Sequence, residues 1–203
     1  CFIDASNLFY GGVKELGWKV DYQKLFKYLK WKFKVQQVYY FAGIDAYTFD
    51  YSSYSRQDFP IDEYIKYLEV RIKKELLDVS DLETMLMYKH LQRAKFYRRL
   101  KSFGYKLKLK PVKIINQEDG TQKKKANCDV DLTFHAMLEK DKFDNFLLLS
   151  GDGDFEVLLK YFKEERKGAF VIANPKRTAL AIKKLCKTQF KNFNVLRSRI
   201  EYK

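Results

Sequence analysis

The chain has 203 residues, 46% of them hydrophobic, with nine glycines and three prolines, a composition that excludes a low-complexity or collagen-like polymer and suits one packed domain over 1–203 better than two undersized halves. Forty lysines and arginines against 26 aspartates and glutamates give a net charge of +14, which favours a polyanionic partner, nucleic acid ahead of an anionic membrane surface. No apolar run approaches the length that spans a bilayer, and three cysteines without paired spacing fit reduced thiols in a cytoplasmic protein rather than a disulfide scaffold or a zinc site.

In chain order, Phe2-Ile3-Asp4 is a short apolar run closed by a carboxylate and reads as a buried strand. Asp21 is placed to cap a helix in which Tyr22, Leu25, Phe26, Leu29 and Phe33 recur at helical spacing. Residues 36–44, QQVYYFAGI, predict a strand by their β-branched and aromatic content, closed by Gly43. Residues 45–60, polar and aromatic without period, predict a loop. After Pro60, the stripe Ile61, Tyr64, Ile65, Leu68, Ile72 and Leu76 predicts a helix, and Asp81 a cap for a second one reaching about Ser102. Its apolar face drifts from Leu82, Met85 and Leu86, through Met87, Leu91 and Ala94, to Phe96, Tyr97 and Leu100.

Gly104 ends that helix, and residues 105–115, YKLKLKPVKII, alternate apolar and basic in the manner of one strand with a wet face. A turn-rich stretch, NQEDGTQKKKAN, leads to a helix with Val130, Phe134, Met137 and Leu138 on its apolar side. NFLLLSG (145–151) reads as a strand covered on both faces, FEVLLKYFKEERKG as a helix stopped by Gly168, and AFVIAN as another strand. RTALAIKKLCKTQF reads as a last helix, before a short strand at Val195-Leu196. Strand and helix alternate almost throughout, which predicts an α/β fold with a mostly parallel sheet and helices on each side.

In such sheets ligands bind beyond the carboxyl ends of the strands, near the point where strand order reverses. Asp4 ends the first strand, Asp152 and Asp154 follow the NFLLLSG strand, and Asp129 opens a helix. Taken singly, Asp129 and Asp154 have ordinary readings as residues at helix N-termini; it is convergence that points to chemistry. Clustered carboxylates repel unless a cation or proton sits among them. Oxygen-only donors suit Mg²⁺ or Mn²⁺, ions that acidify water and hold a phosphodiester for in-line attack. Asn7, three residues beyond Asp4, can orient a water or phosphate. Asp131 would lie about 200° round the helix from Asp129 and point elsewhere. His90 and His135 read as structural or surface residues, and without H-E-x-x-H spacing a zinc hydrolase is disfavoured. Lys123, Lys124 and Lys125 run towards Asp129: a solvated loop by themselves, a grip on a nucleic-acid backbone beside an acidic site. Arg98, Arg99, Lys106, Lys108 and Lys110 would extend that basic surface.

FIDASNLFYG, KANCDVDLTFHAML and FLLLSGDGDF, in that order, resemble the NYN domains, the LabA-like branch of the PIN-like nuclease superfamily, over roughly Cys1 to Ala173. The resemblance implies a PIN-like three-layer α/β/α sandwich with a mostly parallel central sheet. It also implies a metal-dependent endoribonuclease acting on single-stranded RNA. Asp4, Asp129, Asp152 and Asp154 would surround Mg²⁺ or Mn²⁺, with Asn7 and Ser150 as accessory polar groups. RNA is favoured over DNA, no membrane is involved, and homo-oligomerisation is left open. Two departures stand out. Many family members carry a further carboxylate where this chain has His135, and the helical region around 50–86 is longer than the family minimum. The first motivates an alternative, a PIN-like RNA-binding module with weak or no turnover. A small-molecule phosphohydrolase ranks last, since the chain has no G-x-G-x-x-G and no P-loop.

Overall fold

A computed structural model describes residues 1–52, 58–75, 81–116 and 122–203. In chain order the elements are β1 (Phe2–Asp4), α1 (Ala5–Asn7), α2 (Tyr22–Phe33), β2 (Tyr39–Ile44), α3 (Ile61–Glu75), α4 (Asp81–Ser102), β3 (Lys106–Pro111), β4 (Lys113–Asn116), β5 (Gln122–Lys125), α5 (Asp129–Leu138), β6 (Asn145–Leu149), α6 (Glu156–Glu164), β7 (Gly168–Ala173), α7 (Leu180–Cys186), β8 (Phe190–Asn192) and α8 (Arg197–Ile200). A π-helical stretch, Leu8–Lys14, follows α1. The chain forms two compact units, one of Cys1–Ala42 with Asn127–Lys203 and one of Gly43–Ala126.

Six strands form one sheet in the order β3-β2-β1-β6-β7-β8. β1 is parallel to both β2 and β6, and β6, β7 and β8 continue parallel. From β1 the chain goes first to β2 on one side and later to β6 on the other, so strand order reverses between β1 and β6. The carboxyl ends of these two strands therefore open the crevice where α/β sheets take ligands.

The core of the first unit explains why those ends are rigid. Phe146, Leu147, Leu148 and Leu149 of β6 are all buried, as a continuous apolar run in a parallel sheet requires. The Phe2 ring lies 5.0 Å from Tyr39 and 5.1 Å from Phe146, and Phe146 lies 4.7 Å from Phe162 of α6. Each such buried ring contributes roughly 1.5–3 kcal/mol. α2 begins where expected, the Asp21 carboxylate accepting from the Lys24 N–H at 3.0 Å, and ends at Lys34 with φ 54°. In the second unit the α3 stripe from Ile61 to Ile72 is buried, Leu76 lying outside the described residues. α4 packs against α3 and buries Met87, Leu91, Ala94, Tyr97 and Leu100.

The structure departs from the sequence reading in several places. The single strand expected over 105–115 is two: Pro111, which has no N–H to donate, closes β3, and β4 pairs antiparallel with β5. The lysine run is thereby strand rather than loop. On α5 the buried residues are Leu132 and Ala136, while Val130, Phe134 and Leu138 are more than half exposed. Small Ala136 and Leu132 suit a helix lying close on the sheet, and periodicity does not distinguish that face from its apolar neighbour. Leu82, Met85 and Leu86 at the start of α4 are exposed rather than packed. The last strand is Phe190–Asn192, paired with β7, and Val195-Leu196 fall in a 3-10 turn that Asn192 caps. Of the loop over 45–60, residues 53–57 lie outside the described residues. Among the described residues, no helix is long and apolar enough to cross a membrane.

Candidate metal centre

β1 delivers Asp4 to the switch point, and both its carboxylate oxygens accept hydrogen bonds there. Oδ1 accepts from the backbone N–H groups of Ser6 and Asn7 at 3.0 and 3.2 Å, capping α1, and Oδ2 accepts from the Ser150 hydroxyl at 3.0 Å. Ser150 Oγ in turn accepts from the Asp152 N–H at 3.2 Å. The Gly151 N–H donates to Asn7 Oδ1 at 2.9 Å. The exits of β1 and β6 are thus tied by two side-chain bonds, with Asp4, Ser150 and Gly151 all buried. Asn7, read from sequence as a group to orient water or phosphate, spends its carbonyl oxygen on this strap.

Behind the strap stands a support that sequence reading missed. Asn174, buried at the end of β7, accepts from the Lys176 N–H through its side chain and from the Thr178 hydroxyl through its carbonyl. Ala179 N–H donates to the Gly151 carbonyl at 3.0 Å. The available signal was the Asn-Pro pair directly after a strand, a turn-initiating dipeptide. Thr178 lies so close that a Cβ on Gly151 would meet its Oγ1 at 2.6 Å and its Cα at 2.9 Å. Gly151→Ala is therefore expected to cost about 1–3 kcal/mol of stability in urea denaturation, because backbone rather than a mobile side-chain tip must give way. An unchanged denaturation midpoint would contradict this packing.

The remaining acids come from two further turns. Asp152 Oδ1 accepts from the Asp154 N–H at 3.1 Å and caps the 3-10 turn Gly153–Phe155. Asp129 starts α5, its N–H bonded at 2.7 Å to the side chain of Asn127, a second residue the sequence reading did not single out. One carboxylate oxygen from each of Asp129, Asp152 and Asp154 lies within 4.8 Å of the other two. Asp4 stands beside this trio rather than in it, and acts on it through charge. Burial pushes the Asp129 carboxyl up, and the charges of Asp4, Asp152 and Asp154 push it further, against a hydrogen bond from Asn127. Burial also raises Asp4; the Asn7 N–H, the Ser150 hydroxyl and the Ser6 N–H oppose this, and Asp152 reinforces it.

The donor set fits a hard dication. Oxygens bound to one Mg²⁺ at about 2.1 Å stand at most about 4.2 Å apart, so a small side-chain rotation closes the trio around an ion. All three donors are carboxylate oxygens, which excludes a preference for softer metals. His135 is not part of the group. Its Nδ1 lies 2.9 Å from the Asp131 carbonyl, which can only accept, and its ring sits edge-on to Phe41.

Over residues 1–193 the chain matches the model of the NYN domain. It belongs to the NYN domain family. NYN domains fall within the PIN-like nuclease superfamily, whose members are generally ribonucleases and usually use divalent metals. This NYN domain is 22% identical over 204 residues to low amplitude and bright protein LabA of Synechococcus elongatus, across 98% of this chain and 86% of that protein. In fold it resembles a protein of unknown function from Vibrio parahaemolyticus, with a TM-score of 0.62 at 18% identity, across 99% of this chain and 93% of the other. The α/β fold with a mostly parallel sheet, expected from the resemblance, is the one observed. Lys123, Lys124 and Lys125 of the NYN domain fall on β5, in the second unit, in register with Ile115, Ile114 and Lys113.

Proposed function

We propose that this NYN domain, taken as one domain over 1–203 with α3 and α4 as its helical elaboration, is a metal-dependent endoribonuclease that hydrolyses phosphodiester bonds in single-stranded RNA. The observation that carries this reading is the carboxylate trio at the carboxyl ends of the parallel strands, an acidic spot on a protein of charge +14. Asp129, Asp152 and Asp154 would hold Mg²⁺ or Mn²⁺, with the charge of Asp4 added to theirs. When bound, the dication supplies neutralisation of the scissile phosphate and acidification of water. Asp154, the exposed member, orients the attacking water. Ser150 and Asn7 fix the geometry by holding the two strand exits together. Lys123, Lys124 and Lys125 hold RNA phosphates. Three cysteines, odd in number and without paired spacing, fit the reducing cytoplasm.

The test is cleavage of an end-labelled single-stranded RNA by the purified chain in Mn²⁺, in Mg²⁺ and in EDTA, beside DNA of the same sequence and a generic phosphate ester. Internal cuts in RNA that require the dication are expected. No cleavage under either metal, with salt-sensitive RNA binding retained, would select the alternative of a binding module with weak or no turnover. His135 is the observation favouring that alternative, because an imidazole bonded to its own helix backbone stands where many relatives place a carboxylate.

A further inference from the structure

We propose that the second unit carries its own binding site for the sugar–phosphate backbone of a nucleic-acid strand, on the face of α4 that bears Arg98 and Arg99. Between Glu83 and Glu118 the chain has ten lysines and arginines and no acidic residue. α4 sorts this segment into two faces. Leu91, Ala94, Tyr97 and Leu100 are buried, and the neighbouring face lines a recess of about 620 Å³ formed by Gln92, Lys95, Phe96, Arg98, Arg99 and Ser102.

The cations around the recess differ in what they already do. Lys95 is bridged to Glu69 at 2.8 Å, Lys101 to Asp62 at 3.7 Å and Lys108 to Asp58 at 2.9 Å, and Arg93 donates to the Tyr97 hydroxyl. Arg98 and Arg99 are exposed, and among the described residues neither guanidinium takes part in a hydrogen bond or an ion pair, although the Arg98 charge adds to the Lys95 hydrogen bond in holding the Glu69 carboxyl down. Guanidinium forks match phosphate oxygens bidentately, so a phosphodiester backbone satisfies donors that the fold leaves exposed. Half-buried Phe96 offers ring surface to a base, and Gln92 and Ser102 add polar groups. An open recess rimmed by Lys95, Arg98 and Arg99 suits a strand better than a lipid surface, which is met by a continuous apolar face.

The class of partner rests on the nuclease reading, whereas the site rests on charge and shape, so the two are tested apart. Fluorescence anisotropy in EDTA would measure binding of a 20-nucleotide single-stranded RNA, and of DNA of the same sequence, by the full chain and by R98E/R99E. R98A/R99A would stand in should the reversal fail to fold. K27E/K184E, exposed lysines of the first unit, serves as the control of equal charge change. Affinity is expected to fall at least about tenfold in R98E/R99E, with the slope of log K against log salt reduced by about 1.4 for two lost phosphate contacts, and to change little in the control. Equal loss on RNA and DNA supports recognition of the phosphodiester itself; loss confined to RNA supports a site that also reads the ribose. Unchanged binding, an equal loss in the control, or a loss confined to vesicles containing 30% phosphatidylserine would each overturn the proposal. Absence of cleavage in Mn²⁺ with arginine-dependent binding intact would sink the nuclease reading alone.

Discussion

Asp152→Asn is expected to lower Mn²⁺-dependent RNA cleavage by at least about 100-fold while the protein stays folded, an effect of the size seen when one preorganised electrostatic group is removed from an active site. The substitution separates chemistry from scaffolding because of how Asp152 is held. Its Oδ1 accepts from the Asp154 N–H and caps the following turn, and its own N–H is bound to Ser150 Oγ. An asparagine keeps both bonds, since its carbonyl oxygen can accept in place of Oδ1. What disappears is one negative charge from a trio whose oxygens lie within 4.8 Å of one another. Circular dichroism and a denaturation midpoint near that of the parent chain would show the fold intact. Cleavage by Asp152→Asn at the parental rate would remove the trio from the mechanism.

Mn²⁺ at about 100 times its dissociation constant is expected to stabilise the fold by about 2.7 kcal/mol, a rise in Tm of roughly 5–11 °C for a chain of this size, and the rise should grow with pH. The direction follows from Asp4 and Asp129, whose carboxyls titrate above the ordinary value of 3.8 in the folded protein. The folded state therefore keeps protons that the unfolded chain has already released. As pH rises from 3.8 through the raised values, the metal-free fold loses stability, and above them the loss is complete. A dication binds the deprotonated acids and relieves their repulsion, so its increment is small near about pH 4 and largest around neutrality. Asp129→Asn should raise the metal-free Tm at neutral pH, by removing a carboxylate that the fold disfavours, and shrink the Mn²⁺ increment. Differential scanning fluorimetry across pH, with and without Mn²⁺, reads both. An increment that is absent at neutral pH, or that falls as pH rises, would count against a dication among these acids.

Several elements were legible because their causes are local. Asp21 opens α2 through its own side chain, and β6 is buried on both faces because nothing polar interrupts residues 146–149. The placing of Asp4 and Asp152 at strand ends follows from where the apolar runs stop. Other features depend on partners distant in sequence. Phe-Lys-Asn becomes β8 only because β7 offers an edge in register with it. α5 has two candidate apolar faces, and the approach of the sheet to Leu132 and Ala136 decides between them.

By itself, then, the sequence determined the alternation of strands and helices, the parallel character of the sheet, and which carboxylates leave the strands at the same end. Only the tertiary structure decided that Asp129, Asp152 and Asp154 draw together while Asp4 turns its oxygens to Ser6, Asn7 and Ser150, and that Gly151 is pinned between Asn7 and Thr178. The physical reason is range. Propensity and burial act between neighbours in the chain, whereas repulsion among acids and bonds across a strand crossover depend on where residues from about 25 to nearly 150 positions apart come to rest.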